Sequence, residues 1–261
     1  MKKNIIIFIS LTFLSRLVLS LSGTVETPIS DVLYVLAFAL PILIGTPLAD
    51  RDRARREEIA GVREKSMHFF SLRKESAALA APLVFISVAV IFFVAYLGYI
   101  MISLMGGEPS GNISGSFFEL ILTSALLPTL TEEMLFRFLP MKLILPYSRK
   151  WTVILSAVSF SAFHLNYEQY FYAFAAGLIF ILADIAFESV LPSMVMHFVN
   201  NILSVVWMKI GGEETYSLIF VLSLASLALI STAFIIVFRK KYTVLIHRTF
   251  GEKEGNSHAV R

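Results

Sequence analysis

The feature that most constrains this chain is the length of its uninterrupted apolar runs. Residues 77–105, AALAAPLVFISVAVIFFVAYLGYIMISLM, hold no charged side chain. Seven further apolar segments lie at about 4–22, 30–49, 116–145, 151–166, 169–187, 190–208 and 216–238. Crossing a bilayer as a helix takes about 20 residues at 1.5 Å each, so all eight segments are long enough or nearly so. The runs are continuous and do not alternate, which argues against a membrane β-barrel. Composition agrees: 57% of residues are hydrophobic, 16% are charged, and the mean hydropathy is +0.76. A soluble domain is nearer half apolar and a quarter charged. The sequence therefore predicts an all-α, polytopic membrane helical bundle of about eight transmembrane helices. It reads as one membrane domain over 1–250, followed by a polar tail at 251–261.

Some chemistry is excluded at once. The chain has no cysteine, so disulfides, thiolate zinc sites and cysteine nucleophiles are absent. The sequence pI of about 9.1 does not point to nucleic acid, because the basic residues are grouped between apolar segments. The loop at 50–76 holds Arg51, Arg53, Arg55, Arg56, Arg63, Lys65, Arg73 and Lys74. Arg149 and Lys150 mark the turn near 146–150, and Arg239, Lys240 and Lys241 open the tail. The loops at 23–29, 106–115 and 167–168 carry no Lys or Arg. That alternation predicts both termini in the cytoplasm of a multi-pass protein of the cell membrane. The loop at 50–76 reads either as an amphipathic surface helix or as a solvated basic loop near anionic headgroups. The start, MKKNIIIFISLTFLSRLVLSLSG, imitates a secretory signal, but its apolar stretch is long and Arg16 interrupts it. We read it as a first helix that is retained.

The informative residues are the charges inside the runs. Ionisable groups in a span cost about 2.5–3.5 kcal/mol each on insertion scales, and they face the bundle interior or a wet cavity. TLTEEMLFRFLP (129–140) places Glu132, Glu133 and Arg137 in apolar sequence between Pro128 and Pro140. The prolines, in a segment too long for a simple span, predict kinks or an interfacial end. Residues four apart share a helix face, so Glu133 and Arg137 can pair. Glu132 points about 100° away and is left without that partner. SFSAFHLNYEQ supplies one candidate, His164, with Phe160 one turn before it. Taking Ser148 as the turn, Glu132 lies sixteen residues before it and His164 sixteen after. Equal counts in an antiparallel hairpin mean equal depth, so Glu132 and His164 are expected to face each other.

MVMHFVNNIL supplies the third element, with His197 and Asn201 four apart on one face. Counted from a turn near Ser189, His197 is only eight residues in, a poorer depth match. A bland alternative is an interhelical hydrogen bond of about 1 kcal/mol. Converging with Glu132, the same groups form a hydrolytic kit. Two His and a carboxylate suit zinc with an open position for water, with Glu132, His164 and His197 as the ligands. Without metal, Glu132 can deprotonate a water while imidazole and amide donors stabilise an oxyanion. No HExxH is present. Asp184 and Glu188 are expected in an ordinary interfacial role near a helix end, and Arg16 is expected to snorkel or to pair within the bundle.

EEMLFR (EExxxR), FSAFH (FxxxH) and HFVNN (HxxxN), in that order on successive segments, resemble the motifs of the CPBP or ABI family of intramembrane proteases. That family includes the type II CAAX prenyl proteases, the Ras-converting enzymes. The region corresponding to the family's membrane core is about 79–238. The resemblance implies a multi-helix endopeptidase with its site inside the membrane. It implies Glu132 as principal catalytic glutamate, Glu133 and Arg137 in support, and His164, His197 and Asn201 completing the water site. Both a zinc mechanism and a metal-free glutamate mechanism are compatible with it. The substrate implied is a membrane-associated peptide or protein, lipidated in the CAAX case. Rival readings are an ion-coupled transporter or proton relay, and a non-catalytic membrane scaffold of the same fold.

Overall fold

A computed structural model describes residues 1–24, 29–64, 69–71, 74–105, 115–165, 167–210 and 218–250. It is helical throughout, with no strand among the described residues. Helix α1 (Lys2–Ser22) packs on α2 (Ile29–Ala60), and α3 (Lys74–Leu104) follows. The fourth apolar segment is broken into α4 (Phe117–Leu120), a π-helical stretch (Ile121–Leu126), α5 (Leu127–Glu133), a second π-helical stretch (Met134–Phe138) and α6 (Leu139–Leu143). Then come α7 (Arg149–Phe163), α8 (Tyr167–Phe187), α9 (Leu191–Ile210), α10 (Leu218–Val237) and α11 (Arg239–Phe250). Among the described residues, helix occupies most of each of the eight expected segments. Four helices are long and apolar enough to cross a membrane: α1, α2, α3 over Ala78–Ile102, and α8 over Gln169–Phe187. Helices α9 and α10 are apolar over shorter stretches, Leu191–Trp207 and Ser223–Val237. The polar tail at 251–261 lies outside the described residues.

The two prolines that flank Glu132, Glu133 and Arg137, Pro128 and Pro140, act through π-helix. Each sits at the second position of the α-helix that follows a π-helical stretch. Proline has no N–H to offer the carbonyl four residues back. The wider turn bypasses that missing donor with longer-range bonds, from Leu127 N–H to Leu122 and from Leu139 N–H to Met134. The Phe136 carbonyl, whose α-helical partner would have been Pro140, also accepts from Ser156 Oγ at 2.5 Å. A hydroxyl on α7 thereby fastens the second π-helical stretch, which carries Arg137.

One boundary departs from the expectation. The second apolar segment was read to end at 49, but α2 runs on to Ala60. The basic residues at 51–56 therefore extend the helix. Intrahelical ion pairs explain this: Arg53 meets Glu57 at 2.8 Å, and Arg56 meets Asp52, each one turn apart. Arg56 also grips Glu64 with two bonds, at 2.6 and 2.9 Å, and covers the Tyr147 ring at 4.9 Å. Asn4 Nδ2 donates to Asp52 at 3.0 Å and to the Leu143 carbonyl at 2.8 Å. Lys142 pairs with Asp50 at 2.7 Å. This polar knot ties α1, the end of α2 and the α6–α7 turn together. Residues 65–68 and 72–73 of the basic loop lie outside the described residues.

Two more contacts position the site. A Cβ added at Gly177 of α8 would fall 2.9 Å from the Ala157 Cα of α7, so these helices touch backbone to backbone there. The α8–α9 turn is itself buried, with Ser189 and Val190 fully shielded. It is covered by Phe69, whose carbonyl accepts from Val190 N–H at 2.7 Å and from Ser189 Oγ at 3.0 Å. The Phe69 ring meets Phe138 edge-on at 4.9 Å.

Candidate active site

Glu132 and Glu133 close α5, and Arg137 follows in the second π-helical stretch. Glu133 and Arg137 are both fully buried. Arg137 Nε lies 3.3 Å from Glu133 Oε2, the pairing expected from their spacing. The guanidinium is sandwiched between two rings, 4.3 Å above Phe160 of α7 and 5.3 Å from Phe180 of α8. Such stacking suits a weakly hydrated, planar cation in a dry setting.

The other Glu133 oxygen is taken by α9. His197 Nδ1 donates to Glu133 Oε1 at 2.7 Å. That bond sets the ring so that Nε2 faces Glu132 Oε2 at 3.9 Å. Glu132 Oε2 has no hydrogen-bond partner and is sealed from solvent at that atom. Glu133 is thus the anchor, held by a cation and an imidazole. Glu132 is the carboxylate left unbound, as the sequence spacing implied.

Its neighbour differs from the expectation. Depth counting set His164 opposite Glu132, yet His197 is the imidazole beside it, and Glu132 and His164 form no ion pair. His164 Nδ1 donates instead to the Phe160 carbonyl at 2.8 Å, one turn back, at the end of α7. Leu165 ends the helix in a left-handed conformation, with φ of 48°. The Phe160 ring stands edge-on to both histidines, 5.0 Å from His164 and 5.7 Å from His197. One phenylalanine therefore organises Arg137, His164 and His197 together. Asn201 lies one turn after His197 and is half-buried. Its neighbour Asn200 is buried, with Oδ1 unpartnered.

Asp184 also departs from its expected role. It is fully buried, not interfacial. Oδ1 accepts from Ser193 N–H at 3.0 Å, and Ser189 Oγ accepts from Leu191 N–H at 3.2 Å. With Pro192 needing no partner, these bonds satisfy the first free N–H groups of α9. Asp184 stands within electrostatic reach of Glu133 and Arg137. Phe180, one turn before Asp184 on α8, stacks on His197 at 5.6 Å. Phe180 carried no sequence signal beyond its spacing from an aspartate in an apolar run.

As a zinc set, Glu132, His164 and His197 are not gathered. Among the described residues, no three His, Asp or Glu side chains converge where a metal ion could sit. The arrangement does offer general-base chemistry: an unbound, mostly buried carboxylate beside an imidazole of fixed orientation.

Residues 114–203, about a third of the chain, match the family model described as type II CAAX prenyl endopeptidase Rce1-like. No curated protein and no solved structure matches. The matched segment contains every residue of the constellation above.

Proposed function

We propose that this chain, whose residues 114–203 match the Rce1-like model of type II CAAX prenyl endopeptidases, is an intramembrane endopeptidase acting on a membrane-associated, lipidated peptide with Glu132 as general base. The match over residues 114–203 supports a membrane protease. The observation that carries the finer reading is the seat of His197, bonded to Glu133 on one nitrogen and facing Glu132 with the other. A gap of 3.9 Å between two polar atoms is one that a water can bridge.

Glu132 takes a proton from that water as it attacks the scissile carbonyl. The C–O bond forms, and the carbonyl π electrons move onto oxygen. In this reading the Asn201 side-chain amide, one turn after His197, donates to the oxyanion, and His164 adds its Nε2–H as an imidazolium whose Nδ1–H stays on the Phe160 carbonyl. The proton held by Glu132 then passes to the leaving nitrogen as the C–N bond breaks. Glu133, clamped by Arg137, keeps His197 in the tautomer that leaves Nε2 toward the water. Both termini and the loop at 50–76 would face the cytoplasm.

The test is purified protein with a prenylated peptide, with and without chelator. Cleavage that is lost in Glu132→Ala and His164→Ala, in variants that still insert, is the expected result. Retained cleavage in either variant overturns the assignment. The chelator arm reads whether zinc contributes.

A further inference from the structure

Arg16 is a cation in the middle of an apolar helix, and the mechanism above does not use it. Its guanidinium lies 5.7 Å from the centroid of the Phe163 ring, next to His164. Its Nε is sealed from solvent and has no acceptor, and no carboxylate among the described residues pairs with it. An unanswered guanidinium at such a position is costly in a membrane.

The Phe163 ring meets Phe136 edge-on at 5.1 Å, and Phe136 meets Phe160 at 5.5 Å. Phe160 is the ring that lies under Arg137 and stands edge-on to His164 and His197. Arg16 therefore lies against the aromatic cluster that seats the candidate active site.

The geometry points to Arg16 as the binding site for the C-terminal carboxylate of the substrate, a specificity determinant one helix away from the reacting bond. This rests on the proposed protease function. A CAAX substrate ends in a free carboxylate three residues beyond its lipidated cysteine. Three extended residues span about 10 Å. A carboxylate held at Arg16 would then lie about that far from the scissile bond. The ring of Phe163 takes one face of the guanidinium, leaving its N–H edge for two parallel bonds to a carboxylate.

The test compares two prenylated peptides that differ only in ending as acid or amide, with wild type, Arg16→Gln and Arg16→Lys. Wild type should favour the acid in kcat/KM by about tenfold or more, as for one charge-assisted bond. In Arg16→Gln the acid-to-amide ratio should fall close to one, and Arg16→Lys should restore part of it. An unchanged ratio in Arg16→Gln, or no preference in wild type, overturns the proposal. A second arm measures binding of the released tripeptide as acid and as amide, by thermal shift. Acid-selective binding that Arg16→Gln removes supports the site even if no peptide is cleaved, and that failure would fall on the protease reading alone.

Discussion

His197 Nδ1 lies 2.7 Å from Oε1 of the fully buried Glu133, and this one bond gives the two adjacent glutamates different work. Glu133 is neutralised from both sides, by His197 and by Arg137 at 3.3 Å. Glu132 Oε2 has no hydrogen bond and meets His197 only at 3.9 Å. Glu132→Gln should lower kcat by about 10²–10⁴, the usual worth of a general base, with little change in thermal midpoint. Glu133→Ala should lose fold and activity together, by about 3–5 kcal/mol, because it strands a buried guanidinium. Peptide cleavage and a detergent thermal melt separate the two. Equal thermal losses in both variants would contradict the division.

Asp184 acts at one remove from the chemistry. Its Oδ1 holds Ser193 N–H, one turn before His197. Asp184→Ala should cost about 1–3 kcal/mol through the freed N–H and lower kcat more than it raises KM. Asp184→Asn keeps an acceptor at that oxygen and should recover most of the stability. A melt of both variants beside their kinetics is the check.

Gly177 has no room for a methyl group. Its neighbour at 2.9 Å is backbone, which cannot rotate away. Gly177→Ala should destabilise by about 1–3 kcal/mol and part α7 from α8. Since α7 carries Phe160 and α8 carries Phe180, the Arg137 sandwich should loosen and activity should fall too. A melting temperature equal to wild type would show that the helices can separate freely.

The polar knot predicts acid sensitivity outside the apolar segments. Hydrogen bonding from Arg56 holds the Glu64 carboxyl below the usual carboxylate range, with burial opposing it. A depressed folded value means stability that is present above the unfolded value, about 4.3, and lost as pH falls through the folded one. Melts taken from pH 6 to about 3.5 should show a smaller decline in Glu64→Gln than in wild type. Parallel curves would remove Glu64 from the account.

The α-helical spacing of four was sufficient to pair Glu133 with Arg137, and continuous apolar runs were sufficient to place helix in each segment, four of the helices being long and apolar enough to cross a membrane. Counting from turns ranked His164 above His197 as the neighbour of Glu132, and His197 is the one found at 3.9 Å, for two physical reasons. The count assumed regular α-helix, but the segment bearing Glu132 passes through π-helical turns beside Pro128 and Pro140, where residues and rise no longer keep step. It also assumed that turns lie at the surface. The α8–α9 turn is buried beneath Phe69, so eight residues of α9 are enough to bring His197 level with the glutamates.

Local sequence by itself determined helicity, membrane class, motif order and the spare status of Glu132, because each follows from hydropathy and rotation per residue along one chain. Only the tertiary structure decided which histidine meets which carboxylate, that Asp184 is buried, and that Phe160 and Phe180 clamp Arg137. Those contacts join α5, the second π-helical stretch, α7, α8 and α9. Their relative rotation is set by backbone contact at Gly177 and Ala157 and by the bond from Ser156 to Phe136, which no single segment encodes.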